Sequence, residues 1–403
     1  MYIPLFDTKE PNKNDGLKKN FIDFFIRHGS STIADIARES DLSIPTVTKI
    51  LTEMQQEGLL VECGKSENSG TRKATLFNIN ADLCYFMGID IRQSSILVAI
   101  TDFSGKILFS KECLGYKISV NTEGLPAAFD IIDRVFAEIP VEKEKIVRLG
   151  IALPGKIDIV QGISNSYLYQ DGVVLADLFE ERYGIPTRID NDTRAMCYGE
   201  YMCGIGNGEQ DVVYVNMSWG LGMSLITEGR LYYGKSGFSG EWGHVNAFDN
   251  EILCYCGKKG CLETEVSGRA VHRQLIEKYK KGCSTILSDK IDSGDRLTLE
   301  DILDAIKKDD ILSIELVESA GRILGKHIAG LLNIFNPELI ILGGTVGAIG
   351  DYLAFPVKTG IMKYTLNYVN NDTELKVAML GRQAGAIGSC MLVRSKCLGV
   401  IPF

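Results

Sequence analysis

Residues 86–114, FMGIDIRQSSILVAITDFSGKILFSKECL, decide the fold. The stretch alternates strand, turn, strand, turn, strand, which reads as a meander. RLGIALPGKID at 148–158 and VVYVNMSWGLGMSLITEGRLYYG at 212–234 repeat the same kind of pattern. AAFDIIDRVFAEI (127–139), SIELVESAGRILGKHIAGLLNIF (313–335) and QAGAIGSCMLVRSK (383–396) are helical by period and by caps. PELIILGGTVG (337–347) reads as a buried strand running into a glycine turn. Mixed sheets covered by helices, in two halves that each open with a meander, predict an α/β fold of two lobes around a cleft. Clefts of that kind are the default place for a ligand.

A chain of 403 residues predicts two or three domains. Apolar residues make up 45% and charged residues 24%, enough for a large core in an ordinary globular protein. No run of eighteen apolar residues occurs, so no membrane partner is expected. The first twenty residues lack the charged-then-apolar pattern of a secretory signal. Eleven scattered cysteines then read as reduced thiols, and a cytoplasmic location is expected. A net charge of −9 argues against broad coating of nucleic acid, but a small DNA-reading module needs only a local patch.

The first eighty residues have such a module's pattern. In LKKNFIDFFIRHGSS, Leu17, Phe21, Phe24 and Phe25 share a helical face. Thr32 and Asp35 resemble a capping box, ahead of a short stripe of Ile33, Ile36 and Ala37. Asp41-Leu42-Ser43 is a tight turn. Ser43 caps the next helix, Pro45 sits in its first turn, and Val47, Ile50, Leu51 and Met54 form its apolar face before Gly58 ends it. Helix, turn, helix is followed by two strand-like runs, 59–62 and 74–77, that read as a wing. Ser43, Pro45, Thr46, Thr48 and Lys49 on the second helix are candidates for base edges and phosphates, with Arg72 and Lys73 at the wing base for backbone phosphates. A structural three-helix subdomain is the plainer alternative.

HVNAFDNEILCYCGKKGCLE, 244–263, holds three cysteines within eight residues and one of four histidines. Structural zinc takes four N/S ligands in a tetrahedron, and His244, Cys254, Cys256 and Cys261 supply that set. Gly257 and Gly260 permit the tight turns. Buried core cysteines, or a redox pair in Cys-x-Cys, are the other readings of the same residues.

Nearly the whole chain resembles the ROK proteins (repressors, open reading frames and kinases), within them the winged-helix repressors. The resemblance rests on LSIPTVTKILTEMQQEGL (42–59), GIDIRQSSILVAITDFSGKIL (88–108), IDNDTRAMCYGE (189–200), GEWGHVNAFDNEILCYCGKKGCLE (240–263) and NPELIILGGTVG (336–347). It implies an actin-like, two-lobed sugar-kinase body behind a winged helix-turn-helix. The expected domains are 1–80 for DNA binding, 81–195 for the first lobe and 196–403 for the second, with the C-terminal helix free to pack back on the first. It also implies that Glu241, His244 and Glu263 reach sugar hydroxyls, the histidine through the ring nitrogen that the zinc leaves over. Asn191 and Asp192 open a helix, and Asp192 matches the family's catalytic aspartate, although Asp before an apolar helix is also a common N-cap.

The kinases of the family carry an Asp-x-Gly-Gly-Thr loop where this chain has Asp90-Ile91-Arg92-Gln93-Ser94. They carry Gly-Thr-Gly-Leu-Gly where it has Ser218-Trp219-Gly220-Leu221-Gly222, while Gly343-Gly344 survives. Glycines let backbone N–H groups approach phosphate, so ATP binding and kinase activity are not expected. The expectation is a repressor released from a palindromic DNA operator by a sugar or sugar phosphate, working as a homodimer or tetramer. Arg92 or Arg194 could serve a phosphorylated ligand. An active sugar kinase, or a repressor controlled by a protein partner, are the alternatives.

Overall fold

The computed structural model describes residues 3–7, 13–66 and 73–400, and every structural statement concerns these. By internal contact the chain divides into two compact units, 1–191 with 386–403, and 192–385.

The first unit opens with α1 (Pro4–Asp7), α2 (Lys13–His28), α3 (Ile33–Glu39) and α4 (Ile44–Gln56). Thr32 and Asp35 form a reciprocal capping box on α3, and Ser43 caps α4 with Pro45 in its first turn. Asp41 takes the left-handed conformation, φ +52°, in the turn between them, a conformation that Asp tolerates better than most residues. Val47, Ile50, Leu51 and Met54 of α4 are buried. On α2 the buried apolar residues are Phe21, Ile22 and Phe25, while Leu17 and Phe24 are half-covered, so the apolar face lies one position round from the expected one. Lys18 of α2 is buried between Glu53 of α4 (3.5 Å) and Glu57 at its C-cap (2.5 Å) and fixes one helix on the other. The antiparallel strands β1 (Leu60–Lys65) and β2 (Thr75–Ile79) make the wing.

Behind the wing, β3 (Tyr85–Ile91), β4 (Ser95–Asp102) and β5 (Ile107–Leu114) form the expected antiparallel meander. After α5 (Leu125–Phe136), β6 (Ile146–Leu153) and, beyond α6 (Leu175–Tyr183), β9 (Thr187–Asn191) add on in parallel, giving the order β5-β4-β3-β6-β9. The reading of 148–158 as a meander is corrected here. β6 is one strand between two parallel neighbours, and after it comes only a two-residue ribbon, β7 (Ile157–Asp158) with β8 (Ile163–Ser164). Its nearly unbroken burial is what parallel neighbours demand, and an alternating hairpin would lack it.

The C-terminal helix, Ala384–Cys397, lies on this sheet. Gly88 of β3 and Gly150 of β6 stand opposite each other in register. A Cβ on the first would run into the Ala386 carbonyl, and one on the second into that of Ser389. The pair leaves a bare strip on which helix backbone rests directly. Arg394, buried at the far end, donates to the Ser104 carbonyl at 2.7 Å. Phe6 of α1 packs against Phe103 (5.8 Å between ring centroids) and Phe86 (6.4 Å), tying the N-terminus to the same sheet.

The second unit repeats the plan. It begins with α7 (Asp192–Cys203) and a meander of β10 (Val212–Met217), β11 (Leu221–Thr227) and β12 (Arg230–Leu231). Helices α8 (Glu263–Val266), α9 (Gly268–Lys280), α10 (Ser288–Asp292), α11 (Leu299–Ile306) and the long α12 (Ile311–Phe335) follow. Then come β13 (Leu339–Gly343), α13 (Gly344–Gly347), α14 (Asp351–Tyr364), α15 (Asn367–Asp372) and β14 (Glu374–Val377). The order β12-β11-β10-β13-β14, with β13 and β14 parallel to β10, matches the first sheet strand for strand. Glu200 of α7 is fully buried and accepts the N–H groups of Ile205, Met379 (3.0 Å) and Leu380 (2.6 Å). It fastens the end of α7 to the segment after β14.

A methyl group at position 88 has nowhere to go except through helix backbone. Gly88→Ala should therefore destabilise the protein by about 1–3 kcal/mol, an overpacking cost, read as a lowered thermal midpoint. An unchanged midpoint would mean that the helix does not rest on this strip.

Candidate functional site

The second unit gathers its polar candidates around the first three residues of β11. Gly240, in the left-handed conformation at φ +88°, leads into a 3₁₀ turn over Glu241–His244. A Cβ on Gly240 would collide with the Met223 carbonyl, and one on Gly243 with that of Leu221, so the turn lies flush on the strand. Three residues per turn eclipse positions three apart. Glu241 and His244 therefore share one face, with Glu241 Oε2 3.7 Å from His244 Nε2.

Glu263, at the start of α8, reaches the same strand from another side. Its Oε2 accepts the Leu221 N–H at 3.2 Å and its Oε1 pairs with Arg269. The carboxylate is buried and held at both oxygens. Asp192, first residue of α7, accepts the Thr193 N–H through Oδ1 at 2.7 Å, beside the partial positive charge of a helix start. Thr193 Oγ1 accepts in turn from Asn216 Nδ2 of β10 at 2.8 Å. A Cβ on Gly222 would strike that same hydroxyl, so β11 receives the Thr193 side chain of α7 directly on its backbone. Asn191 closes β9 of the first unit and donates through Nδ2 to the Gly155 carbonyl at 3.1 Å.

Behind the 3₁₀ turn, His244, Cys254, Cys256 and Cys261 bring one donor atom each to within 4.8 Å of one another. Cys254 Sγ lies 3.5 Å from His244 Nδ1, and Cys256 Sγ lies 3.6 Å from Cys261 Sγ. With Zn–S of about 2.3 Å and Zn–N of about 2.0–2.1 Å, a tetrahedral ion would set such edges at about 3.5–3.8 Å. The donor set and its spacing fit the metal. Gly257 (φ +86°) and Gly260 (φ +75°) supply the left-handed turns. Burial and the neighbouring thiols push the Cys261 thiol up to about 12. The histidine presents Nδ1 to Cys254 and Nε2 to Glu241.

The stretches that the resemblance matches to phosphate loops make polar and ring contacts through their own side chains. In the first unit Arg92 Nε donates to the buried Asp90 carboxylate at 2.6 Å, and its guanidinium also faces Glu112 at 3.8 Å. In the second, the Ser218 hydroxyl accepts the Thr345 N–H at 3.0 Å and donates to Asn216 Oδ1 at 2.7 Å. Trp219 sets its ring edge-on to His272 at 5.4 Å between centroids. Gly343 and Gly344 have a packing reason of their own: Cβ atoms there would meet the Tyr214 ring and the Asn216 and Ser218 side chains. Arg194 is buried, donates to the Gly237 carbonyl at 2.8 Å and lies over the Tyr233 ring at 5.2 Å. It braces the loop that leads to Gly240.

At the other end of the chain, Ser43, Pro45, Thr46, Thr48 and Lys49 are all exposed on or before α4. Ser43 and Thr46 share a hydroxyl contact of 2.8 Å, and Thr48 back-bonds to the Ile44 carbonyl, turning its methyl outward. Lys73 is exposed at the loop end of the wing, not at its base as expected, because it directly precedes the Ala74–Ser66 pairing that closes the hairpin; Arg72 lies outside the described residues. Sequence reasoning missed Ile44, 57% exposed on the same face, an apolar side chain of the kind that touches thymine methyl groups. It also missed Arg269, whose link to Glu263 becomes visible only when α8 and α9 are folded together. The position of Ile44 directly after a cap was the available signal for the first; the second had none.

Comparison with known proteins agrees with this architecture. A winged helix-turn-helix DNA-binding model matches residues 22–61, and the ROK family model matches residues 86–396. The xylose repressor of Bacillus spizizenii is 27% identical over 91% of this chain and 92% of its own length. The glucokinase of Thermotoga maritima is 29% identical, over 78% of this chain and 98% of its own. A solved ROK family transcriptional regulator, a homologue of the Escherichia coli MLC protein, superposes with a TM-score of 0.79 over 96% of each chain at 24% identity, a likeness of fold. No helix among the described residues is long and apolar enough to cross a membrane. With a family model spanning most of its length behind a winged helix-turn-helix, the chain belongs to the ROK family.

Proposed function

We propose that the chain is a sugar-responsive transcriptional repressor, in which residues 1–80 bind an operator and a sugar held by the second unit releases it. The observation that carries the sugar half is the convergence of Asp192, Glu241, His244 and Glu263 on the start of β11. Carboxylates accept hydrogen bonds from hydroxyls, an imidazole held by a metal at one ring nitrogen donates through the N–H of the other, and sites built of such groups discriminate strongly between isomers. Asn191 is the further contact expected from the first unit. In this reading Glu263, already tied to Leu221 and Arg269, contributes as a fixed acceptor, while the more exposed Glu241 and Asp192 adapt to the ligand. The DNA half is supported by the exposed polar face of α4, held in place by Lys18.

Zinc is the metal that best suits three thiolates and an imidazole. Bound there it would supply a fixed positive charge with no open coordination position, ionising the thiolates and orienting the His244 ring. The role is structural, and it pins the turn that carries Glu241.

Phosphoryl transfer needs amides free to receive phosphate. The Thr345 amide is taken by Ser218, and Arg92 fills the first loop by pairing with Asp90. These contacts, with Trp219 in the second loop, favour a regulator over a kinase. The same engagement of Arg92 and Arg194 favours an uncharged sugar over a phosphorylated one.

Fluorescence anisotropy of the purified protein on its own upstream DNA, at fixed salt and with a panel of sugars and sugar phosphates, tests the proposal. One sugar should release the DNA, and release by none would move control to a protein partner. Glu241→Gln and Asp192→Asn should retain operator affinity and lose the response. If instead either variant loses DNA binding and keeps sugar binding, these residues do not form the sugar site. Cys256→Ser should lose its metal by elemental analysis, lower the thermal midpoint and abolish the response together; a folded, metal-free and fully inducible variant would refute the assigned role of the cluster. Hexose-dependent ATP hydrolysis by the wild type would overturn the non-enzymatic reading.

A further inference from the structure

β10 is apolar apart from Tyr214 and Asn216, which share the face opposite Val213, Val215 and Met217. Asn216 is 4% exposed, and a side-chain amide buried to that extent costs stability unless both of its ends are hydrogen-bonded. Both ends are bonded here. Nδ2 donates to the Thr193 hydroxyl of α7 at 2.8 Å, and Oδ1 accepts from the Ser218 hydroxyl at 2.7 Å. Ser218 Oγ in turn accepts the Thr345 N–H at 3.0 Å, and the Thr193 hydroxyl stands 3.3 Å from Asp192 Oδ1. Thr345, Ser218, Asn216, Thr193 and Asp192 thus form one line, from the first turn of α13 to the first residue of α7.

The direction of that line is fixed by its ends. A backbone N–H can only donate, and an ionised carboxylate can only accept. Each proton between them therefore points toward Asp192: that of Ser218 to Asn216 Oδ1, that of Asn216 Nδ2 to Thr193, and that of the Thr193 hydroxyl to Asp192 Oδ1. Reversing the Asn216 amide would turn a carbonyl oxygen on Thr193 and draw its proton away from Asp192. Glycines hold the line in place. A Cβ on Gly222 would strike the Thr193 hydroxyl, and one on Gly344 would strike Asn216 Oδ1 and Ser218 Oγ. Asp192 Oδ1 so receives both the N–H and the O–H of Thr193, which sets the plane of the carboxylate. A contact that merely pinned α7 on β10 would be complete with Asn216 and Thr193. Its continuation to the Thr345 amide is what directs the Thr193 proton at Asp192.

With Asp192 read as a sugar contact, on which this step rests, we propose that Asn216 is a positioning residue of the sugar site. It orients Asp192 through the Thr193 hydroxyl and thereby sets which epimer of an aldopyranose the site accepts. A carboxylate free to turn follows a hydroxyl to either of its epimeric positions. One held in a fixed plane meets only one of them in line.

Calorimetric titration of the full-length protein, without DNA, tests this with D-glucose, its single-position epimers D-mannose, D-allose and D-galactose, and D-xylose as probes. Thr193→Val and Asn216→Leu should each weaken the best-bound probe about 10-fold and narrow its preference over the other probes by at least about 5-fold. Thr193→Ser loses a methyl group but keeps the hydroxyl, and should hold the wild-type preference. In an Asp192→Ala background, Thr193→Val should change affinity by less than about 2-fold, because the route to the ligand is already cut. Operator affinity without sugar should match the wild type's in every variant, which shows each one folded. Wild-type preference in Thr193→Val, or equal loss of preference in Thr193→Ser and Thr193→Val, would overturn the positioning role and leave the sugar site standing. Wild-type affinity in Asp192→Ala would instead remove Asp192 from the sugar site, and the inference with it. A wild type that binds none of the probes would overturn the assignment of an aldopyranose.

Discussion

Backbone packed against backbone at the start of β11 is the constraint on which the candidate site depends. Gly240, Gly243 and Gly222 each remove the one carbon that would hold a neighbouring segment away from the strand. The 3₁₀ turn with Glu241 and His244 is thereby set at a distance fixed by main-chain van der Waals contact, and the first turn of α7 with Asp192 by the Thr193 side chain seated on Gly222. Glu263 completes the set with a hydrogen bond to a main-chain amide of the same strand. A turn seated backbone on backbone holds its place whatever its side-chain rotamers, which is what a site that discriminates hydroxyl positions needs. The Cys/His cluster works from the other side of the turn, because His244 belongs to both.

The same device recurs where no ligand is involved. Gly88 and Gly150 admit the C-terminal helix onto the first sheet, and Gly325 admits α14 onto α12. A glycine in this chain is thus an ambiguous signal, and the pair at 343–344 illustrates why. It aligns with a phosphate loop, yet Tyr214, Asn216 and Ser218 account for it by packing alone. What distinguishes a phosphate cradle is amide N–H groups left open to receive oxygen. Around Ser218 the nearby amide is already spent on a hydroxyl, and around Asp90 an arginine side chain sits where glycines would stand.

Much of this was legible in the sequence because it is local. Both caps of the helix-turn-helix, its four buried α4 residues and the left-handed glycines of the cysteine knot depend on residues within a few positions of one another. The meanders at 86–114 and 212–234 followed from period-two patterning, whereas 148–158 did not, since a strand with parallel neighbours on both sides has no alternating face to read. Contacts that join distant segments were closed to sequence. Lys18 reads as a surface basic residue until α2 and α4 are placed together, and Arg194 reads as a candidate phosphate ligand until the Gly237 carbonyl and the Tyr233 ring are found against it. Phe355 and Met362 of α14 look like core in a sequence and are recognised as surface only when the other face of the helix is seen to be buried already.

If sugar and operator act on one equilibrium between two states of the protein, their effects on each other must be equal, because coupling free energy is reciprocal. Titrating the sugar that releases the operator into the protein by calorimetry, with and without saturating operator duplex, is the most direct test of the account. Sugar affinity should fall in the presence of DNA by the same factor by which sugar weakens DNA binding, a factor on the order of 5 to 150. Identical sugar affinities with and without DNA would mean that the site on β11 does not govern the winged helix.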